Sequence, residues 1–266
     1  MTLSKQSNLE LCANNIDLWF TFYDQIQDRS LLRRYRLWLA EEELDQEAEF
    51  YFAEDRIRYL VTRALVRAVL SRYIPIPPEQ WRFKRNAYGR PEIGNNDFLA
   101  RHLSFNISHT RSLIMLGVTR DGAIGVDIEN IRAREAPLEV ASSFFAPDEN
   151  TALEAMPAGM RSLRFWEYWT LKESYIKAKG KGLSIPLKDV HFDLSRSPDI
   201  EAHFCPALDD NPSQWKIWQL RPTEDYLAAV CVQRLERVRR ELVMRRIVPL
   251  LSEERVEYII SRQSCA

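Results

Sequence analysis

The chain has 266 residues, 45% of them hydrophobic and 28% charged, with a formal net charge of -1. This is the mix of a globular protein with one large domain or two small ones. It gives no global field for a nucleic-acid partner, and no apolar run reaches the roughly 18 residues of a membrane span.

The opening residues Met1-Thr2-Leu3-Ser4-Lys5-Gln6-Ser7-Asn8 lack an apolar stretch and are read as no secretory signal. Cys12, Cys205, Cys231 and Cys265 are scattered without C-x-x-C spacing. That argues against a zinc site or a disulfide framework and fits a reducing cytoplasm. Eight glycines and no G-x-G-x-x-G argue against a nucleotide-binding Rossmann domain.

Residues 15–23 are aromatic-rich and read as a strand. Helical spacing covers residues 31–49, interrupted by the acidic run Glu41-Glu42-Glu43. Residues 55–73 form a stronger helix, with Ile57, Leu60, Val61, Ala64, Leu65, Ala68 and Val69 in one stripe. Arg56, Arg58, Arg63 and Arg67 lie along it, which taken alone reads as a solvated basic face. Pro75, Pro77 and Pro78 stop this helix. Residues 81–83 make a short strand, and Tyr88-Gly89-Arg90-Pro91 makes a turn. Strands follow at 103–107, ending at Ser108-His109, and at 113–118. Arg120-Asp121-Gly122 is expected to turn the latter into a hairpin with the next strand, Ala123-Ile124-Gly125-Val126-Asp127-Ile128-Glu129-Asn130. Short helices are expected at 138–145 and 148–155, and a long one at 160–179, ended by Gly180 and Gly182. Strands are expected at 190–194, 214–220 and 226–232, with a loop over 195–213. The tail from Gln233 reads as helical, basic and amphipathic, broken near Pro249.

Two stretches carry chemistry. In an extended chain Asp127 and Glu129 project to one face while Val126 and Ile128 point inward. Paired carboxylates resist joint ionisation, and a hard divalent cation such as Mg²⁺ removes the conflict. On the long helix, Glu173 and Lys177 lie one turn apart on one face. Each motif alone also has a plain reading: a solvated turn, and a surface ion pair. Ser108-His109 alone also fits a strand cap, and Trp166 and Trp169 read as core.

Together, Gly125-Val126-Asp127-Ile128-Glu129 and Trp169-x-x-Lys172-Glu173-Ser174-x-x-Lys177-x-x-Gly180-Lys181-Gly182-Leu183 resemble the Sfp-like 4'-phosphopantetheinyl transferases. Arg58, the Tyr88-Gly89-Arg90-Pro91 turn, Phe105-Asn106-Ile107-Ser108-His109, and Phe144-Phe145 with Glu149 extend the likeness in the family's order. It runs over residues 50–190 and more loosely to 232. The resemblance implies an α+β fold of two similar, pseudo-duplicated halves with the active site between them. On that pattern residues 1–120 make the half that contacts the nucleotide side of coenzyme A. Residues 121–232 make the half with the metal and catalytic residues, and 233–266 are a helical extension.

The resemblance also implies the roles. Asp127, Glu129 and Glu173 would hold Mg²⁺. Arg90, Ser108 and His109 would contact the coenzyme A phosphates, with Arg58 at the nucleotide end and Lys177 at the pyrophosphate. Some better-known members carry lysines before Phe50 that help hold the 3'-phosphate. Here Glu41-Glu42-Glu43-Leu44-Asp45 is acidic, which shifts that load toward Arg58. The implied reaction moves phosphopantetheine from coenzyme A to a serine of an apo acyl or peptidyl carrier protein. Glu173 has a second role as proton acceptor, and Lys177 neutralises developing charge. The competing readings are a metal-dependent phosphohydrolase, and a non-catalytic module that binds coenzyme A or a carrier.

Overall fold

A computed structural model describes Leu9 and residues 12–265. The opening residues read above for a signal lie outside the described residues. In chain order, β1 (Asn15–Phe22) leads to α1 (Arg29–Arg36), α2 (Glu41–Glu49) and α3 (Ala53–Tyr73). A small ribbon of β2 (Phe83–Arg85) and β3 (Pro91–Ile93) precedes β4 (Leu103–His109), β5 (Leu113–Arg120) and β6 (Ile124–Asn130). Then come α4 (Ala141–Phe144), α5 (Pro147–Ala155) and α6 (Ala158–Lys179). Strands β7 (Val190–Asp193), β8 (Asp199–Phe204), β9 (Trp215–Thr223) and β10 (Tyr226–Gln233) follow. The chain closes on β11 (Glu241–Val248), β12 (Ser252–Arg255) and β13 (Ile259–Ser264).

Five strands form one sheet in the order β12-β11-β1-β5-β4, and six form another in the order β6-β10-β9-β13-β8-β7. Strand alternation sorts their side chains into layers. Trp19 on β1 packs with Leu60, Val61, Ala64 and Leu65 of α3. Its neighbours Ile16, Leu18 and Phe20 face the other way, onto Ile124, Val126 and Ile128 of β6 and Val230 of β10. Ala229 and Cys231 of β10 turn toward Leu171 and Tyr175 of α6. The layers therefore stack as α3, first sheet, second sheet, α6, and the α+β expectation holds. No helix among the described residues is long and apolar enough to cross a membrane.

Several local expectations are corrected. Residues 31–49 form two helices, with Glu43 of α2 paired to Arg67 and Arg63 of α3. Arg67 is 2% exposed, so the arginine stripe is not simply a solvated face. Residues 113–130 are not a hairpin: β5 pairs with β1 and β4, while β6 pairs with β10. Asp121 and Gly122, both at positive φ, carry the chain from one sheet to the other. The loop over 195–213 contains β8, a polar strand whose Ile200 is buried.

The largest correction is the tail, which is not helical. Val243, Met244 and Ile247 have the i, i+1, i+4 spacing of a helix face. On β11 they instead serve different faces, Met244 the core between the sheets and Ile247 the core under α3. β11 pairs parallel with β1, so the tail returns to the first sheet, while β13 inserts beside β9 in the second. Buried Asp17 on β1 secures this return, accepting from Tyr73 Oη at 2.6 Å and Arg245 Nη1 at 2.8 Å.

Arg240 sits where the chain crosses between the sheets. Its guanidinium donates to the carbonyls of Ala13, Arg120, Asp121 and Gln233 and to Thr119 Oγ1. One side chain thus ties the outgoing crossing at residue 121 to the returning one at residue 233. Arg240→Ala is expected to cost roughly 3 kcal/mol, because it strands several buried acceptors at once. Urea unfolding of the two proteins checks this; a loss below about 1 kcal/mol would show that water replaces the arginine.

Candidate active site

β4 and β6 are edge strands of different sheets and lie side by side. They share no backbone ladder. Instead, alternate side chains of β4 and the residue after it accept from alternate N–H groups of β6. Val126 N donates to Asn106 Oδ1 at 2.9 Å, Ile128 N to Ser108 Oγ at 3.4 Å, and Asn130 N to Thr110 Oγ1 at 3.2 Å. This satisfies an otherwise bare strand edge. It also brings Ser108 and Thr110 against the carboxylates of β6. Ser108 Oγ donates to Asp127 Oδ1 at 2.9 Å, and Thr110 Oγ1 to Glu129 Oε2 at 3.2 Å.

α6 crosses the same face of β6 at Gly125. A Cβ there would lie 2.0 Å from the carbonyl oxygen of Ser174 and 2.2 Å from the backbone nitrogen of Ala178. Only glycine admits the helix this closely. The approach delivers Lys177 to the carboxylates. Its Nζ lies 2.5 Å from Asp127 Oδ1 and 3.0 Å from Ser108 Oγ. Lys177 therefore pairs across the sheet edge with Asp127, not along the helix with Glu173.

The electrostatics follow from burial. Asp127 is 4% exposed, and its Oδ2 has no hydrogen-bond partner. Glu129 is pushed up to about 7, first by burial and then by Asp127. Burial and Asp127 raise Glu173 as well. Among the described residues no group of three His, Cys, Asp or Glu side chains is placed to hold a metal ion. Asp127 is the electrostatic neighbour of both Glu129 and Glu173, and its buried Oδ2 is unmatched. That donor set suits a cation that keeps much of its own water, as Mg²⁺ does.

The remaining expected residues fall around this centre. His109 ends β4, and burial, then Arg58 and Lys177, lower its affinity for a proton. Arg58 is half-buried and pairs with Asp55 at 2.8 Å. Arg90 has both terminal nitrogens engaged by backbone carbonyls, so its charge, more than a free donor, faces the site. Trp166 is core, and Trp169 packs on Phe144 and Phe165.

Sequence reasoning gave no role to Lys172 or Glu149, although both lay inside quoted motifs. They form a wholly buried ion pair at 2.6 Å. Lys172 also donates to the carbonyls of Leu187 and Val190, and Glu149 accepts from the N–H groups of Ala146 and Phe192 at 2.8 Å. Adjacent helical residues diverge by about 100°, so anchoring Lys172 inward turns Glu173 toward the site. Their sequence neighbours, Asp148 and Asn150 beside Glu149 and Glu173 beside Lys172, gave no sign that either side chain is buried. Lys172→Met is expected to cost about 3 to 5 kcal/mol by stranding the Glu149 charge. Adding Glu149→Gln should recover much of that loss in chemical unfolding; no recovery would show that the pair is not a unit.

Known proteins align with this arrangement. A profile of the 4'-phosphopantetheinyl transferase superfamily matches residues 123–231, and one for the N-terminal region of 4'-phosphopantetheinyl transferase matches residues 29–120. The chain is 31% identical to the 4'-phosphopantetheinyl transferase HetI of Nostoc sp. over 86% of its length and 92% of that protein. It is 31% identical to the 4'-phosphopantetheinyl transferase Sfp of Bacillus subtilis, over 74% of this chain and 84% of that one. A buried and a half-buried carboxylate on an edge strand, a Glu–Lys helix docked on glycine, and relatives alike over most of their length place this chain in the Sfp-like 4'-phosphopantetheinyl transferase family.

Proposed function

We propose that the protein transfers the 4'-phosphopantetheine arm of coenzyme A to a serine of an apo acyl or peptidyl carrier protein, releasing adenosine 3',5'-bisphosphate. The observation that carries this reading is Lys177 bridging Ser108 and Asp127 while Asp127 Oδ2 stays unmatched beside two acids of raised proton affinity. Asp127, Glu129 and Glu173 would hold Mg²⁺, which when bound neutralises pyrophosphate charge. Ser108, His109 and the ammonium of Lys177 offer donors to the phosphates, and Arg58 and Arg90 add positive charge.

The carrier serine oxygen forms a bond to the β-phosphorus as the bond from that phosphorus to the bridging oxygen breaks. The bisphosphate leaves with the electron pair, and the serine proton passes to Glu173. Burial and Asp127 make Glu173 a stronger base than an ordinary carboxylate. Lys177 meets the charge that grows on the leaving group. This is positioning and electrostatics, as in other phosphoryl transfers.

The carrier would dock beside Glu129, where residues 131–137 leave the site. Arg134 lies there 65% exposed, over the ring of Trp166 and 3.9 Å from Glu129. Arg132 is equally exposed but shared with Glu224 and Asp225. Such arginines suit an acidic carrier surface. Phe145 is core and offers it nothing, while half-buried Phe144 remains at the edge. All four cysteines are free, which supports a cytoplasmic setting.

Mass spectrometry of an apo carrier mixed with coenzyme A, Mg²⁺ and this protein tests the reading. A gain of the phosphopantetheine mass is expected; cleavage of coenzyme A with an unchanged carrier would replace transferase with hydrolase. Glu173→Gln keeps shape and removes basicity, so turnover should fall by about two orders of magnitude with an unchanged melting temperature. An active Glu173→Gln enzyme with the same pH profile would sink the base role.

Mg²⁺ should also compete with protons. Glu129 holds its proton more tightly folded than unfolded. In metal-free protein its contribution to stability is therefore full below the ordinary carboxylate range and is lost as pH rises through about 7. A cation takes over the proton's place, so Mg²⁺ should raise the melting temperature more at pH 8 than at pH 6. An equal rise at both values would remove Glu129 from the ligand set.

A further inference from the structure

Arg90 belongs to the turn between β2 and β3, in the first half of the chain, yet it works on the helix of the second. Nη1 donates to the carbonyls of Lys177 and, at 3.0 Å, Ala178 in the last turn of α6. Nη2 donates to the carbonyl of Phe105 on β4 at 3.1 Å and of Ile124 on β6 at 2.9 Å. Asn86, on the same turn, donates Nδ2 to the carbonyl of Gly180 at 2.8 Å. Its Oδ1 accepts from the N–H groups of Tyr88 and Arg90 and so fixes the turn.

The last carbonyls of an α-helix have no partners within the helix. Here the N–H of Gly180, in the left-handed conformation, returns to Ile176 and Lys177. The turn at residues 86–90 supplies further donors. A guanidinium at a helix C-terminus also meets the negative end of the helix dipole. Gly180 leaves room for it: a Cβ there would lie 3.1 Å from Arg90 Cδ.

We propose that Arg90 is a positioning residue which, with Asn86, caps α6 from the opposite half and fixes Lys177 against Ser108 and Asp127. It holds three elements in one register: α6 carrying Glu173 and Lys177, β4 carrying Ser108, and β6 carrying Asp127. A planar guanidinium can reach acceptors on all three; a lysine ammonium, a single point, cannot. This role rests on the transferase reading for its kinetic consequence but on the carbonyl contacts for its physical content.

Arg90→Lys separates positioning from phosphate binding, because it keeps the charge and loses the fork. Positioning predicts that turnover falls by about tenfold or more, well beyond any change in the Michaelis constant for coenzyme A, since an error of about 1 Å in placement is costly. It also predicts faster amide hydrogen exchange in the last turn of α6. A raised coenzyme A constant with wild-type turnover and exchange would make Arg90 a phosphate ligand and overturn the proposal. So would a variant that matches wild type in every readout. Should Arg90→Lys fail to fold, Asn86→Ala removes the bond to Gly180 alone among the contacts to α6. It must show the same loosening of that turn; unchanged exchange would overturn the cap. A wild-type enzyme that transfers nothing would sink the transferase reading, while the exchange result would still decide the cap.

Discussion

The distance between β6 and α6 sets everything else in the site. At Gly125 the helix backbone sits where a side chain would be, and the contact involves Ser174 and Ala178, which flank Lys177 in sequence. Any larger residue would push the helix out by more than the length of a hydrogen bond's tolerance. Lys177 would then lose both Asp127 and Ser108, and Glu173 would withdraw from its neighbours. Close backbone packing at Gly125 is thus what shapes the site. It holds acids and a lysine near one another before any ligand arrives, at the cost of the raised proton affinities of Glu129 and Glu173.

The second constraint is how two sheets meet without becoming one. A continuous ladder between β4 and β6 would have consumed the N–H and carbonyl groups of both edges. Side chains of Asn106, Ser108 and Thr110 make the join instead. The spacing between strands is then set by side-chain length, and the hydroxyls that make the join also touch the carboxylates. Structural and chemical roles share the same atoms. Around this seam, Arg90, Arg240 and the Lys172–Glu149 pair use their donors mainly on backbone carbonyls and buried acids. They work as fasteners in places where apolar packing alone would not fix a register.

Much of this was legible in the sequence because local pattern and tertiary role agreed. β6 showed its alternation, α3 its apolar stripe, α6 its length and glycine stop, and Asp127, Glu129, Glu173 and Lys177 their facing. The failures lie where tertiary context decides. Val243, Met244 and Ile247 mimic a helix face because β11 is covered on both sides, so apolar residues need not alternate. Asp121-Gly122 reads as a hairpin turn, since a turn motif says nothing about which sheet receives the next strand. Lys172 and Glu149 are 23 residues apart in number (172 minus 149), and only the fold shows that they meet.

The parallel pairing of β11 with β1 has a consequence for how the protein is made. A strand at residues 15–22 waits for one at residues 241–248 to complete one side of its ladder. During synthesis from the N-terminus, all the residues between β1 and β11 emerge before that edge is covered. The nascent first half therefore carries an open, aromatic-rich strand edge on the ribosome, a template for wrong pairing. Its closing contact is among the most sequence-distant in the molecule, which makes the first sheet slow to finish. The second sheet has its own late arrival in β13, beside β9. Neither sheet is whole until β11 and β13 have been made, so the two halves mature together, not one after the other.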